Sequence, residues 1–387
     1  MQLDVDTARA AFAESTDFTV GLEEEFALLD PGTLDLVPRF EELRDAAAAD
    51  PALATSIAGE LISSEIEIRS GRGEDLAAAI VAQRDRRRRL FALAAECGVS
   101  LGATGTHPWA DYREQRIIAT EHYRRVDNEL KYVAWRNNTF SQHVHVGIRD
   151  SDRAVAVCDR LRPVLPTLLA VSASSPFVDG RDSGLHSARS QIFTKSFPRC
   201  GVPDPFGDWD TFAAYIDFLR RTRSVVEYTQ VWWSVRPHFS FGTVEVRICD
   251  VQPTAAESEG LAALIVACVA QAARDYDDGR RIPDLPGRLI EENMWRALRY
   301  GLDGKLIDLD RAEERPAAAE VERLLQWTAP ACAELGLDVV LPELNGSQRQ
   351  RRLIDTGTSM ADIYAASVAE TRATYSQSPV AETGRLG

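Results

Sequence analysis

Residues 21–26 read Gly21-Leu22-Glu23-Glu24-Glu25-Phe26, consecutive carboxylates set inside an apolar run that extends from about Thr19 to Leu29. The run reads as a β-strand. Side chains alternate faces along a strand, so Glu23 and Glu25 project together, while Glu24 falls with Leu22, Phe26 and Leu28 on the apolar side. Distant segments repeat the device. ELISSEIEIR (60–69) puts Glu65, Glu67 and Arg69 opposite Ile66 and Ile68, QHVHVG (142–147) pairs His143 with His145, and TVEVR (243–247) pairs Glu245 with Arg247. A face with so many carboxylates does not close on an apolar core, because a buried charge needs a partner or a metal. The expectation is a cationic ligand on that face. Glu24 then needs an arginine or a twist that exposes it, and Glu60, outside the register, needs a bend to reach the same place.

The first strand runs into Asp30-Pro31-Gly32-Thr33, turn chemistry that predicts a hairpin returning through Leu34 to Val37. Gly71-Arg72-Gly73 leads into a helix from Glu74 to about Cys97, stopped by Gly98, and a short strand over 99–104 follows. Within that helix, Arg86 to Arg89 read as a solvated face. Residues 163–206 are rich in Ser, Gly, Pro and Asp and have no clean period, so they read as loops over the mouth of a site. Helices are predicted over 209–221 and 254–276, the second behind a capping box at Thr254 and Glu257. Helical runs fill 285–375, and the last dozen residues read as frayed. Strands joined by hairpins and mixed irregularly with helices give an α+β fold around an antiparallel sheet. It is taken as a single catalytic domain over residues 1–387, with its core motifs in 18–280.

Composition narrows the partners. An apolar content of 45% over 387 residues is ample for a packed core. Lysine occurs only at 131, 195 and 305, so arginine dominates the basic residues, and the net charge of −15 argues against a nucleic acid held through its phosphates. The six cysteines are scattered without a C-x-x-C pair, which suits a reduced, cytoplasmic chain. The N-terminus lacks the basic and apolar regions of a signal peptide, and the apolar run 261–270 is too short to span a bilayer. No membrane contact is expected.

Gly71-Arg72-Gly73 follows a strand and opens a helix, but Leu76 stands where a dinucleotide fingerprint needs its third glycine. There is no G-x-x-x-x-G-K-[ST] loop and no G-x-S-x-G elbow. Any ATP must be gripped by metals and arginines. The His-Val-His pair alone leaves open zinc ligands, phosphate contacts and hydrogen-bonded core residues. Arg189 is a candidate fork for a carboxylate or phosphate, with an ordinary surface pair as the alternative. His107 is a candidate acid–base group or a turn residue, and Cys249, on the face of Glu245 and Arg247, reads as packing.

Taken together, VGLEEEFALLDP (20–31), EIEIRSG (65–71), ATGTHPW (103–109), QHVHVGI (142–148), SSPF with the following DSG and SAR (174–189), and VRPHFSFGTVEVRICDVQPT (235–254) resemble the glutamate–cysteine ligase type 2 family of carboxylate–amine ligases, the YbdK-like group. The resemblance implies a curved antiparallel sheet related to that of glutamine synthetase, holding ATP and divalent ions, Mg²⁺ with tolerance of Mn²⁺. Carried over by residue, one ion is held by Glu25, Glu60 and Glu67 and another by Glu23, His143 and Glu245. It also implies that His145 faces the nucleotide phosphates and that Arg236 and Arg247 bind phosphate or the substrate carboxylate. The implied reaction joins a carboxylate (glutamate) to an amine (cysteine or another) through an acyl phosphate, and a homodimer is implied as well. A ligase for a different pair, a phosphotransferase, and a nucleotide- and metal-binding protein without catalysis remain the alternatives.

Overall fold

A computed structural model describes residues 4–282 and 285–377 of the chain. Among the described residues the main sheet has seven strands: β1 (Val20–Leu29), β2 (Ile57–Ala58), β3 (Glu65–Arg69), β4 (Ser100–Gly102), β5 (Gln142–Gly147), β6 (Val235–His238) and β7 (Thr243–Val246). Their order is β6-β7-β5-β1-β3-β2, with β4 added to the end of β1, and every pairing is antiparallel. The segments that carry charge are therefore neighbours. Glu25 pairs with Glu67, Glu23 with Arg69 on one side and His143 on the other, and Glu245 with both His145 and Arg236. Cross-strand partners share a face, so this register alone gathers the acids, imidazoles and arginines.

The opposite face is covered by the helices α1 (Leu76–Glu96), α3 (Ser151–Leu161) and α5 (Ala255–Asp277), while α2 (Glu121–Leu130) and α4 (Ala188–Ser196) stand on the charged side. Leu22, Val144, Val146, Val244 and Val246 are buried in one cluster with Val157 of α3 and Leu261, Ile265 and Val269 of α5. Each such aliphatic side chain contributes roughly 1.5–3 kcal/mol when fully buried, enough to anchor a sheet whose other face is charged. Helix α5 starts where Thr254 Oγ1 accepts from the Glu257 amide at 3.2 Å. By length and composition it could cross a membrane, but most of it is buried within the protein. The Glu257 carboxylate accepts from the Thr254 hydroxyl at 2.8 Å and is also held by Arg349.

Helix α1 settles Glu24 and corrects the reading of the arginine run. Arg87 is 1% exposed, and its Nε donates to Glu24 Oε2 at 2.6 Å, while Gln83 Nε2 donates to the same oxygen at 2.7 Å. Only its neighbours behave as surface residues, with Arg88 and Arg89 pairing to Asp85. The predicted return strand after the Asp30 turn shrinks to one bridge, Leu29 to Leu36. Residues 163–206 are not mainly loops. They contain α4 and a helix over Leu165–Ser172 whose every residue is buried, so no polar face marks its period. The helix over Trp209–Arg221 forms as predicted, and four helices follow beyond residue 285 among those described. Of the last dozen residues, all but 376 and 377 lie outside the described range.

Candidate functional site

The charged face of the sheet floors a cavity of about 290 Å³, lined among others by Glu23, Glu25, Glu60, Glu65, Glu67, His143, His145, Glu245 and Arg247. Among the described residues, two sets of potential ligand atoms fall within 4.8 Å of one another: Glu23, His143 and Glu245, and Glu25, Glu67 and His143. The first is the set expected from the sequence. In the second, His143 stands where Glu60 was expected; Glu60 follows β2 outside any strand and lines the same cavity. Glu65, whose strand parity placed it here, also lines the cavity and is 1% exposed.

The contacts divide the site. On the β5–β7 side, His143 Nδ1 lies 3.2 Å from Glu23 Oε2, and His145 Nε2 lies 3.4 Å from Glu23 and 3.8 Å from Glu245. Arg236 Nε donates to Glu245 Oε2 at 2.7 Å, and Arg247 Nη1 donates to the other oxygen. Burial opposes ionisation of Glu23, yet His145 and His143 outweigh it and hold the carboxyl well below its usual range. Burial is likewise outweighed at Glu245 by Arg236 and Arg247. It works against a charge on His145, but Glu245 and Glu23 lift that imidazole, whereas burial and Arg247 depress His143.

The β3 side is starved of cations. Burial and then the Glu25 charge push Glu60 up to about 7 and Glu65 well above the carboxylate range, and burial with Glu23 does the same to Glu67. Glu65 Oε2 is buried without a hydrogen-bond partner among the described residues. Arg69, nearly half exposed, is the cation nearest this cluster, on Glu67 and at 3.8 Å from Glu23. Hard carboxylate oxygens crowded around an imidazole, short of positive charge, fit a divalent ion of the Mg²⁺ or Mn²⁺ type.

Other expectations need correction. The guanidinium of Arg189 is 2% exposed, donates to the carbonyls of Ile248 at 2.9 Å and Arg247 at 3.1 Å, and lies 3.8 Å from Asp250. Its fork holds the chain that leaves β7, so it is not a surface pair; it also lines the cavity, and its Nε has no hydrogen-bond partner among the described residues. His107 is buried away from the cavity, its Nε2 2.7 Å from the Leu34 carbonyl and its Nδ1 accepting from the Ala110 amide at 3.0 Å. Burial lowers its pKa to about 4, a neutral turn residue rather than an acid–base group. Cys249 is packed in the core as expected.

Sequence reasoning passed over Ser141, whose hydroxyl donates to Glu25 Oε2 at 2.6 Å and lies 2.8 Å from His143 Nε2, and His238, whose ring lies 5.2 Å from that of His145. Period-two spacing was the available signal, since Ser141 precedes His143 by two and His238 follows Arg236 by two. Phe193, Phe197 and Trp232 form a further, aromatic wall that no spacing announced.

The sequence model of the glutamate-cysteine ligase family 2 (GCS2) matches residues 19–376. A protein of Rubrobacter xylanophilus named "Putative glutamate--cysteine ligase 2-2" is 38% identical over 334 residues, 86% of this chain and 86% of the relative. A relative in Gloeobacter violaceus, named "Putative glutamate--cysteine ligase 2", is 36% identical over 92% of this chain and 97% of its own. The fold matches that of a glutamate–cysteine ligase from Francisella tularensis, solved in complex with AMP, at a TM-score of 0.64 and 13% identity, covering 94% of this chain and 91% of that one. It also matches a bifunctional glutathione synthetase from Pasteurella multocida at a TM-score of 0.66 and 12% identity, covering 97% of this chain and 55% of that one. With a family match over nearly its whole length and relatives above a third identical, the chain belongs to glutamate-cysteine ligase family 2.

Proposed function

We propose that the protein is an ATP-dependent ligase that joins a carboxylate to an amine through an acyl phosphate, with glutamate as the leading carboxylate and cysteine as the leading amine. The observation that carries this reading is the meeting, in one cavity, of two overlapping carboxylate–imidazole sets with the paired guanidiniums of Arg236 and Arg247. The names of the relatives and the AMP complex of the structurally similar ligase support it.

In this reading Glu23, His143 and Glu245 would hold one divalent ion, and Glu25 and Glu67 with Glu60 would hold a second. Bound divalent ions supply the charge neutralisation that lets an anionic carboxylate approach a triphosphate. The protein does the rest. Arg247, a buried donor beside Glu245, would bind the substrate carboxylate or the transferred phosphoryl group. His145, whose pKa Glu245 and Glu23 raise, would face the phosphate chain. In the reaction a carboxylate oxygen attacks the γ-phosphorus and ADP leaves. The amine nitrogen then attacks the acyl carbon, loses a proton, and phosphate departs with the carboxylate oxygen it acquired.

That transfer is the test. Glutamate labelled with ¹⁸O in its carboxylate, supplied with cysteine, ATP and Mg²⁺, is expected to give phosphate carrying the label. Unlabelled phosphate formed together with amide excludes the acyl-phosphate route, and a stable phosphorylated product without amide favours a phosphotransferase. Labelled phosphate only with another amine keeps the mechanism and replaces cysteine.

A further inference from the structure

His143 belongs to both candidate ligand sets, and a neutral imidazole has only one bare nitrogen to give. Its two ring nitrogens face different carboxylates. Nδ1 lies 3.2 Å from Glu23 Oε2, whereas Nε2 lies 3.9 Å from Glu25 Oε1. The hydrogen bond made at one nitrogen therefore fixes which set the other nitrogen serves.

Ser141 stands at Nε2. It comes two residues before His143, so it shares the face of the ring, and it is buried. Its backbone is tied to β1: the Glu25 amide donates to the Ser141 carbonyl at 3.0 Å, and the Ser141 amide donates to Glu25 Oε2 at 2.5 Å. The hydroxyl donates to that same oxygen at 2.6 Å and lies 2.8 Å from His143 Nε2. A hydroxyl has a single proton. With that proton given to the carboxylate, the Ser141 oxygen meets Nε2 as an acceptor, and Nε2 must be the donor. The chain runs from Nε2–H through the hydroxyl to Glu25 and leaves Nδ1 bare. Glu23 Oε2 competes for a proton on Nδ1, but Arg247 Nη1, which can only donate, lies 3.5 Å from that nitrogen, and the Ser141 contact is shorter than the Glu23 one.

Resting on the ligase reading, we infer that Ser141 is a positioning residue that commits His143 to the set of Glu23 and Glu245 and withdraws it from the set of Glu25 and Glu67. The second set is then carboxylate only, with Glu60 of the same cavity as its third member.

Nitrogen-15 NMR of protein labelled at its six histidines, recorded in chelator, reads the tautomer, and His143→Gln identifies the signal. Wild type is expected to carry the proton on Nε2 of His143. Ser141→Ala is expected to lose that preference and Ser141→Thr, which keeps the hydroxyl, to retain it; a serine that only supports the fold moves stability and not the tautomer. A proton on Nδ1 in wild type, or an unaltered tautomer in Ser141→Ala, overturns the inference. Calorimetry with Mn²⁺ alone then follows the ions. Wild type is expected to bind two, Ser141→Ala to weaken one of them by about 10–100-fold and leave the other within about threefold, and His143→Gln to lose one and keep the other. Loss of both ions in His143→Gln overturns the commitment of the ring to one set. Should Ser141→Ala not fold, the wild-type tautomer and the His143→Gln titration still decide. Two bound Mn²⁺ with the proton on Nδ1 sinks this inference and spares the metal reading, whereas no Mn²⁺ bound by wild type sinks both.

Discussion

Glu24 and its neighbours Glu23 and Glu25 are adjacent on one strand and are all buried or nearly so, yet the protein treats them in opposite ways. Glu24 faces the helices, where Arg87, Gln83 and Ser258 satisfy its oxygens; burial alone would raise its pKa, but Arg87 brings it below the usual value. Glu23 and Glu25 face the cavity, where His145 and His143 offset Glu23 but Glu60, Glu65 and Glu67 beside them have more carboxylate than cation around them. The difference separates two uses of a buried acid. A charge whose partner is built into the fold serves the fold. A charge whose partner is missing waits for a ligand.

The largest effect that follows is on stability, with opposite signs on the two faces. Arg87→Met leaves Glu24 buried without its partner and is expected to cost about 3–5 kcal/mol in urea unfolding. Glu67→Gln, measured in chelator, removes a repelled charge while keeping the shape and is expected to leave stability unchanged or raised. Equal destabilisation by both would erase the distinction between the faces.

A smaller effect sharpens the comparison through pH. The Glu60 carboxyl titrates at about 7 in the fold against an ordinary value of 4.5. Below 4.5 it is protonated in both states and contributes nothing. As pH rises toward 7 the unfolded chain ionises freely while the folded one resists, so the fold loses stability, and above 7 the loss levels off. Glu60→Gln lacks this loss. In chelator its stability advantage over wild type is expected to open between pH 4.5 and 7, by about 1–3 kcal/mol, and to close when Mg²⁺ is added. An advantage that does not vary with pH, or that Mg²⁺ leaves intact, would mean that Glu60 stands apart from the cation-starved cluster.

What the sequence made legible was whatever has period two. Glu23 with Glu25, Glu65 with Glu67, His143 with His145, and Glu245 with Arg247 all lie as alternation places them, and the resemblance added Glu60, which no strand register reaches. Partners from distant segments were not legible. Glu24 needed an arginine, but only the packing of α1 against the sheet chooses Arg87 from a run of four. The carbonyls that Arg189 holds were not legible either, because they have no sequence signature. The helix over Leu165–Ser172 escaped notice because burial on every side removes the polar stripe that periodicity detects.

The most direct test of the claim that the cavity carboxylates await a cation and, through it, a nucleotide is calorimetric titration of ATP into wild type and Glu23→Gln, each with Mg²⁺ and with chelator. The account predicts saturable binding to wild type with Mg²⁺, loss of that binding in chelator, and marked weakening in Glu23→Gln, a change that alters charge and hardly alters shape. ATP binding of equal strength in chelator, or in Glu23→Gln with Mg²⁺, would contradict it.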